Sequence, residues 1–141
     1  MAYDLNPDEV LSYGNRRRQA QQTWSNQTNS LGFNSNAADQ NYADSLRQAT
    51  TNWNQSRTRI PSIYSRRGLQ DSGIYGENLS RYNTERNDAF GSLARDYYNQ
   101  KARYAQQQVG YNQNLWNTMA DIDENERFRR AQIAAQLTGI M

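Results

Sequence analysis

From Ile74 to Leu137 the chain runs without a single proline, and Tyr, Leu, Phe and Ile recur along it at helical spacing. Ahead of that stretch, Gly68 and Gly73 bracket Leu69-Gln70-Asp71-Ser72. Asp71 or Ser72 suits a helix N-cap, because a short side-chain oxygen accepts an N–H of the first turn. The spacing predicts a turn followed by one long helix, over about residues 72–137. At 1.5 Å per residue such a helix would be roughly 100 Å long. Gly91 and Gly110 are its weak points, each costing about 1 kcal/mol against alanine, and either could be a kink.

The apolar residues of this stretch follow two periods. Tyr82, Leu93, Tyr104, Leu115 and Leu137 lie on an eleven-residue repeat interrupted by Glu126. Tyr75, Tyr97 and Met119 form a parallel row interrupted by Arg86 and Gln108. Phe90, Tyr97, Tyr104 and Tyr111 satisfy a strict seven instead. An eleven-residue period gives nearly straight or slightly right-handed packing, a seven-residue period a left-handed coil. The polar interruptions argue against a simple two-stranded zipper. Phenol hydroxyls in place of leucine suit a wet interface with hydrogen-bonding partners. The expected self-association or partner interface is therefore Tyr75, Tyr82, Phe90, Leu93, Tyr97, Tyr104, Tyr111 and Leu115.

The N-terminal half reads as shorter pieces. Asn6-Pro7-Asp8-Glu9 is a helix start, with a capping Asn, Pro at the first helical position and acids in the first turn. Gly14 interrupts the apolar face that Val10 and Leu11 begin, and Asn29 to Asn36, with Gly32, reads as a loop. Ala38, Tyr42, Leu46, Ala49 and Trp53 put a second helix over about 37–57. It should stop at Ile60-Pro61, since proline disfavours helical geometry in its predecessor. The expected organisation is a polar helical segment over 1–60, a Gly/Pro turn region over 61–73, and a long helix with an apolar tail over 74–141. A separate terminal helix starting at Asp121 or Asp123, after a break near Asn117-Thr118, is an alternative. The fold class is all-α and extended, with one or two shorter helices before the long one. Leu, Ile, Val and Phe together make about 14% of the 141 residues, too few for an ordinary core. Ten Tyr and three Trp with a net charge of +2 do not describe a solvated linker either. Assembly as a bundle or ring of copies reconciles the two.

The absence of Cys and His rules out disulfides, Cys or His metal sites, a Cys nucleophile and a His general base. Asp121/Asp123 and Glu77/Glu85 are carboxylate pairs on exposed helix, better read as solvated or salt-bridged than as a catalytic dyad. Asp121-x-Asp123-x-Asn125 resembles the opening of a calcium loop, but Glu126 stands where glycine belongs. The chain is expected to be non-enzymatic, with no cofactor, no metal, no membrane span and no signal peptide. The Asn26, Asn54 and Asn78 sequons follow from an Asn-rich composition. Fifteen Arg against one Lys, Lys101, favour forked contacts at interfaces. Arg16, Arg17, Arg18, Arg66 and Arg67 are candidate contacts to phosphates or acidic partners, with Arg57 and Arg59 beside them. Trp24, Trp53 and Tyr64 are candidate stacking residues. Within the helix, Asp123–Arg127 and Glu126–Arg130 are spaced for ion pairs.

The stretch Arg66-Arg67-Gly68-Leu69-Gln70-Asp71-Ser72-Gly73-Ile74, followed by Asn78-Leu79, Arg81-Tyr82 and Ala89-Phe90, resembles small virion proteins of tailed bacteriophages. In these an RGL–x–x–SG turn precedes a long helix, and the resemblance covers about residues 60–110. It implies a minor structural protein of the virion, helical and multimeric, at the portal, head-to-tail connection, tail or internal ejection apparatus. Its partners would be other virion subunits and further copies of itself, with contact to passing DNA if arginines face a lumen. A standalone helical nucleic-acid-binding protein is the alternative, and an assembly chaperone absent from finished particles a third reading.

Overall fold

A computed structural model describes residues 4–66 and 73–140. They form two α-helices, α1 over Pro7–Arg66 and α2 over Gly73–Ile140, with no strand among the described residues. The start of α1 follows from its sequence. Asn6 Oδ1 accepts the Glu9 N–H at 2.8 Å, and the Glu9 carboxylate accepts from Asn6 Nδ2 at 3.2 Å. Pro7 lacks the N–H that would go unused in the first turn, and Asp8 and Glu9 face the positive end of the helix.

The first helix is longer than expected. No loop separates residues 29–36 from the rest, and α1 continues through Gly32 and past Ile60-Pro61 to Arg66. A row of less exposed residues explains the first departure: Ala20, Leu31, Tyr42 and Trp53 are spaced by eleven and lie on the inward side of α1. That face is continuous across the Asn- and Ser-rich segment, so packing overrides the weak propensity of the polar residues. Pro61 removes the N–H that would reach the Arg57 carbonyl, a loss the helix carries over its last turns. The second helix also continues through Gly91, Gly110 and Asn117-Thr118 without a break into a separate terminal helix. Of the turn region expected over 61–73, residues 61–66 are helix and Gly73 begins α2, while residues 67–72, with the Asp71 or Ser72 cap, lie outside the described residues.

The chain divides into two compact units, each made of pieces of both helices. The first combines Met1–Phe33 with Tyr104–Met141, and the second is Asn34–Arg103. In the first unit the two helical pieces run antiparallel: Glu9 meets Arg129, Arg17 meets Asp123, and Trp24 meets Asn112. In the second they are antiparallel as well, Asp39 meeting Tyr97 and Trp53 meeting Tyr82. Burial is shallow. Leu5, Leu31, Ala38, Tyr82 and Ile122 are the buried hydrophobic residues, and no side chain is below 2% exposure among the described residues.

Gly32 and Gly91 sit exposed inside these helices, and a Cβ added at either would meet nothing within 4 Å. Gly32→Ala and Gly91→Ala should each stabilise the fold by about 0.5–1 kcal/mol, by restricting the unfolded chain and favouring helix. Urea denaturation followed by helical ellipticity checks this. A lower midpoint in either variant would mean that something outside the chain approaches the glycine.

Candidate interaction surface

The inward face of α2 carries the residues that the repeat singles out. Tyr82, Leu93, Tyr104, Leu115 and Leu137 are all buried or half-buried, and so is Glu126, the polar member of the same row. Tyr75, Tyr97 and Met119 are half-buried together with the polar Gln108, whereas Arg86 is exposed over the Phe90 ring at 5.5 Å. Phe90 and Tyr111 are half-buried too. In each unit this face turns toward α1 of the same chain. The polar interruptions of the repeat thus have partners. Gln108 donates to Thr28 at 3.2 Å and to Asn112 at 3.0 Å, and Asn112 accepts from the Trp24 indole at 2.7 Å.

In the first unit, Glu126 is the centre of an ionic cluster. It accepts from Arg17 and, at 3.0 Å, from Arg130, while Arg17 also reaches Asp123 at 2.7 Å and Arg130 reaches Asp4. The expected Glu126–Arg130 pair forms, but Asp123 pairs across to Arg17 and not along the helix with Arg127. Arg17 is therefore occupied inside its own chain. Arg16 lies exposed over the Tyr13 ring at 5.4 Å, and Arg18 is exposed. The side chains of Tyr64, Arg66 and Arg67 lie outside the described residues. A groove of about 370 Å³ runs beside this cluster, lined on α1 by Ala20 and Trp24 and on α2 by Tyr111, Leu115 and Ile122.

The second unit holds an aromatic and ionic cluster whose α1 half the sequence pattern did not single out as a site. Tyr42 stacks on Tyr97 with centroids 4.3 Å apart and planes 8° from parallel. The Tyr97 hydroxyl donates to Asp39, which also takes the Lys101 ammonium at 3.0 Å, and Lys101 reaches Ser35 as well. Lys101, the single lysine, is an interhelical ion-pair donor. The eleven-residue spacing of α1 was the available signal, since it places Ser35 and Asp39 on the side already holding Leu31 and Tyr42. Trp53, a candidate stacking residue, meets Tyr82 edge-on at 4.8 Å and 67°.

Among the described residues, three carboxylates are held below their ordinary value. Hydrogen bonds from Tyr97 and then Lys101 lower Asp39, those from Arg17 and Arg130 lower Glu126, and those from the Leu5 N–H and Arg130 lower Asp4. A carboxylate that is more acidic folded than unfolded contributes stability above its unfolded pKa, about 4, and loses it as pH falls through the folded value. The urea midpoint should therefore hold from pH 7 to about pH 5 and drop toward pH 3. Glu126→Gln should flatten that drop. An unchanged pH profile in the variant would remove the Arg17–Glu126–Arg130 cluster from the account of acid sensitivity.

Among the described residues no helix is long and apolar enough to cross a membrane, and no group of His, Cys, Asp and Glu is arranged to hold a metal ion. No protein-family profile, curated protein or solved structure matches the chain. The arrangement itself defines an all-helical protein whose long helices pair through a mixed aromatic and polar face and keep large apolar side chains outside. Trp116 and Phe33 are each 74% exposed and Phe128 65%.

Proposed function

We propose that the chain is a non-enzymatic structural component of a tailed-phage virion, multimeric, at the portal, head-to-tail connection or tail channel. There it would support particle assembly and genome retention or ejection, against other virion subunits. One observation carries the multimeric part. Phe33 and Trp116 are each 74% exposed and Phe128 65%, and large apolar side chains held in water mark surfaces that partners cover. The virion part is supported by the resemblance over Arg66 to Ile74 and by a composition rich in Asn, Gln, Tyr and Arg without Cys or His.

Mass spectrometry of nuclease-treated, gradient-purified particles tests the virion location. Several copies per particle are expected. Presence in infected cells and absence from finished particles would point to an assembly chaperone instead. Nucleic-acid binding is kept as a second reading by one feature: Arg57, Arg86, Asn83 and Asn87 line a single polar recess of the second unit. Binding of single-stranded DNA by the monomer, falling steeply with salt, would favour it.

A further inference from the structure

We infer that the polar recess between α1 and α2 in the second unit is a binding site for a phosphate group. This deepens the nucleic-acid reading above at the same residues and is independent of the virion reading. The recess, about 420 Å³, is lined by Arg57 of α1 and by Leu79, Asn83, Arg86 and Asn87 of α2. On α2 these positions are spaced by four, three and one, which puts them on one stripe of the helix. Glu85 is two places from both Asn83 and Asn87, about 200° round the helix, and so springs from the opposite side.

The lining therefore holds two guanidiniums, two carboxamides and no carboxylate. The recess of the first unit differs: there Arg17 and Arg130 are met by Asp123 and Glu126 of the same lining. Neither Arg57 nor Arg86 forms an ion pair among the described residues. Arg86 lies over the Phe90 ring at 5.5 Å, a contact that steadies the guanidinium through its face and leaves the N–H groups on its edge available. Two like charges lining one recess repel, so an anion between them relieves that repulsion as well as adding contacts. Guanidinium forks match phosphate oxygens two at a time, and carboxamide N–H groups add donors without adding charge. A phosphate suits the recess better than a carboxylate. It has more oxygens for donors arriving from two helices, and as a dianion it matches the charge of both arginines.

Calorimetric titration of the full-length chain with pyrophosphate, and separately with a single-stranded thymidine oligonucleotide, tests the site at matched ionic strength. Saturable binding of at least one is expected, with a dissociation constant of about 1 mM or tighter. Arg57→Gln and Arg86→Gln should each weaken it by about 10-fold or more, the loss of a charge-assisted hydrogen bond. Arg95→Gln removes the same charge from an exposed position of the same unit that does not line the recess, and should change binding by less than about 2-fold. Ellipticity confirms that the helices persist in each variant. Pyrophosphate binding without oligonucleotide binding would assign the site to a free phosphate and end the nucleic-acid reading. Oligonucleotide binding with the same dependence on both arginines would assign it to a nucleic-acid backbone. No saturable binding of either ligand, or binding that Arg57→Gln and Arg86→Gln leave unchanged, would overturn the site, as would an equal loss in Arg95→Gln.

Discussion

Tyr82→Ala should destabilise the second unit by about 3 kcal/mol, measured as the loss of unfolding free energy in urea followed by ellipticity. Tyr82 is 8% exposed and is the one large aromatic buried in that unit among the described residues. Its ring meets the edge of Trp53, and its hydroxyl donates to the Trp53 carbonyl. Truncation removes the ring packing and leaves a space that two helices cannot close without moving apart. Tyr82→Phe separates the contributions: it keeps the ring, loses the hydroxyl donor, and should be weaker by about 1 kcal/mol. Equal effects from the two substitutions would mean that the aromatic contact contributes nothing beyond the hydrogen bond.

Ile122→Asp should cost the first unit about 3 kcal/mol or more, because it places a carboxylate at a 6% exposed position. Asp123 and Glu126 are close along the helix, so the new charge also meets its own kind. Ile122→Val, which only trims a methyl, should cost about 1 kcal/mol. Urea midpoints read both. An aspartate variant as stable as wild type would show that the groove beside Ala20, Trp24 and Leu115 lets water reach position 122.

The helical character and the inward face of α2 were legible because Tyr82, Leu93, Tyr104 and Leu115 repeat at a spacing that keeps one side of a helix aligned. The start of α1 was legible at Asn6-Pro7-Asp8-Glu9, since capping is local chemistry. The continuity of α1 was not. Gly32 and its Asn and Ser neighbours have the composition of a loop, and only the spaced row from Ala20 through Leu31 to Trp53 marks them as helix. Proline at position 61 was read as a stop, though near a helix end it removes a single donor. The partners of the ionic residues were hidden for a different reason. Asp123 has a basic residue four places on, and nothing local says that Arg17, far away in sequence, takes it instead. The face of α2 read as a self-association or partner interface turns toward α1 of the same chain; the stripe from Ala38 to Trp53 was legible, but its continuation through Leu31 to Ala20 was cut off by the loop expected over 29–36.

The polar residues on the inner face of the first unit act like the marks of a vernier. Apolar side chains tolerate sliding, since one leucine or tyrosine is much like the next a turn away. Arg17 against Glu126 and Trp24 against Asn112 coincide at a single setting. Displacing one helical piece by a turn would strand a half-buried guanidinium and an indole N–H at the same moment. A protein with so little buried hydrocarbon thereby holds one alignment of its two strands of helix, and mutations that replace these marks with leucine should strengthen adhesion while blurring the alignment.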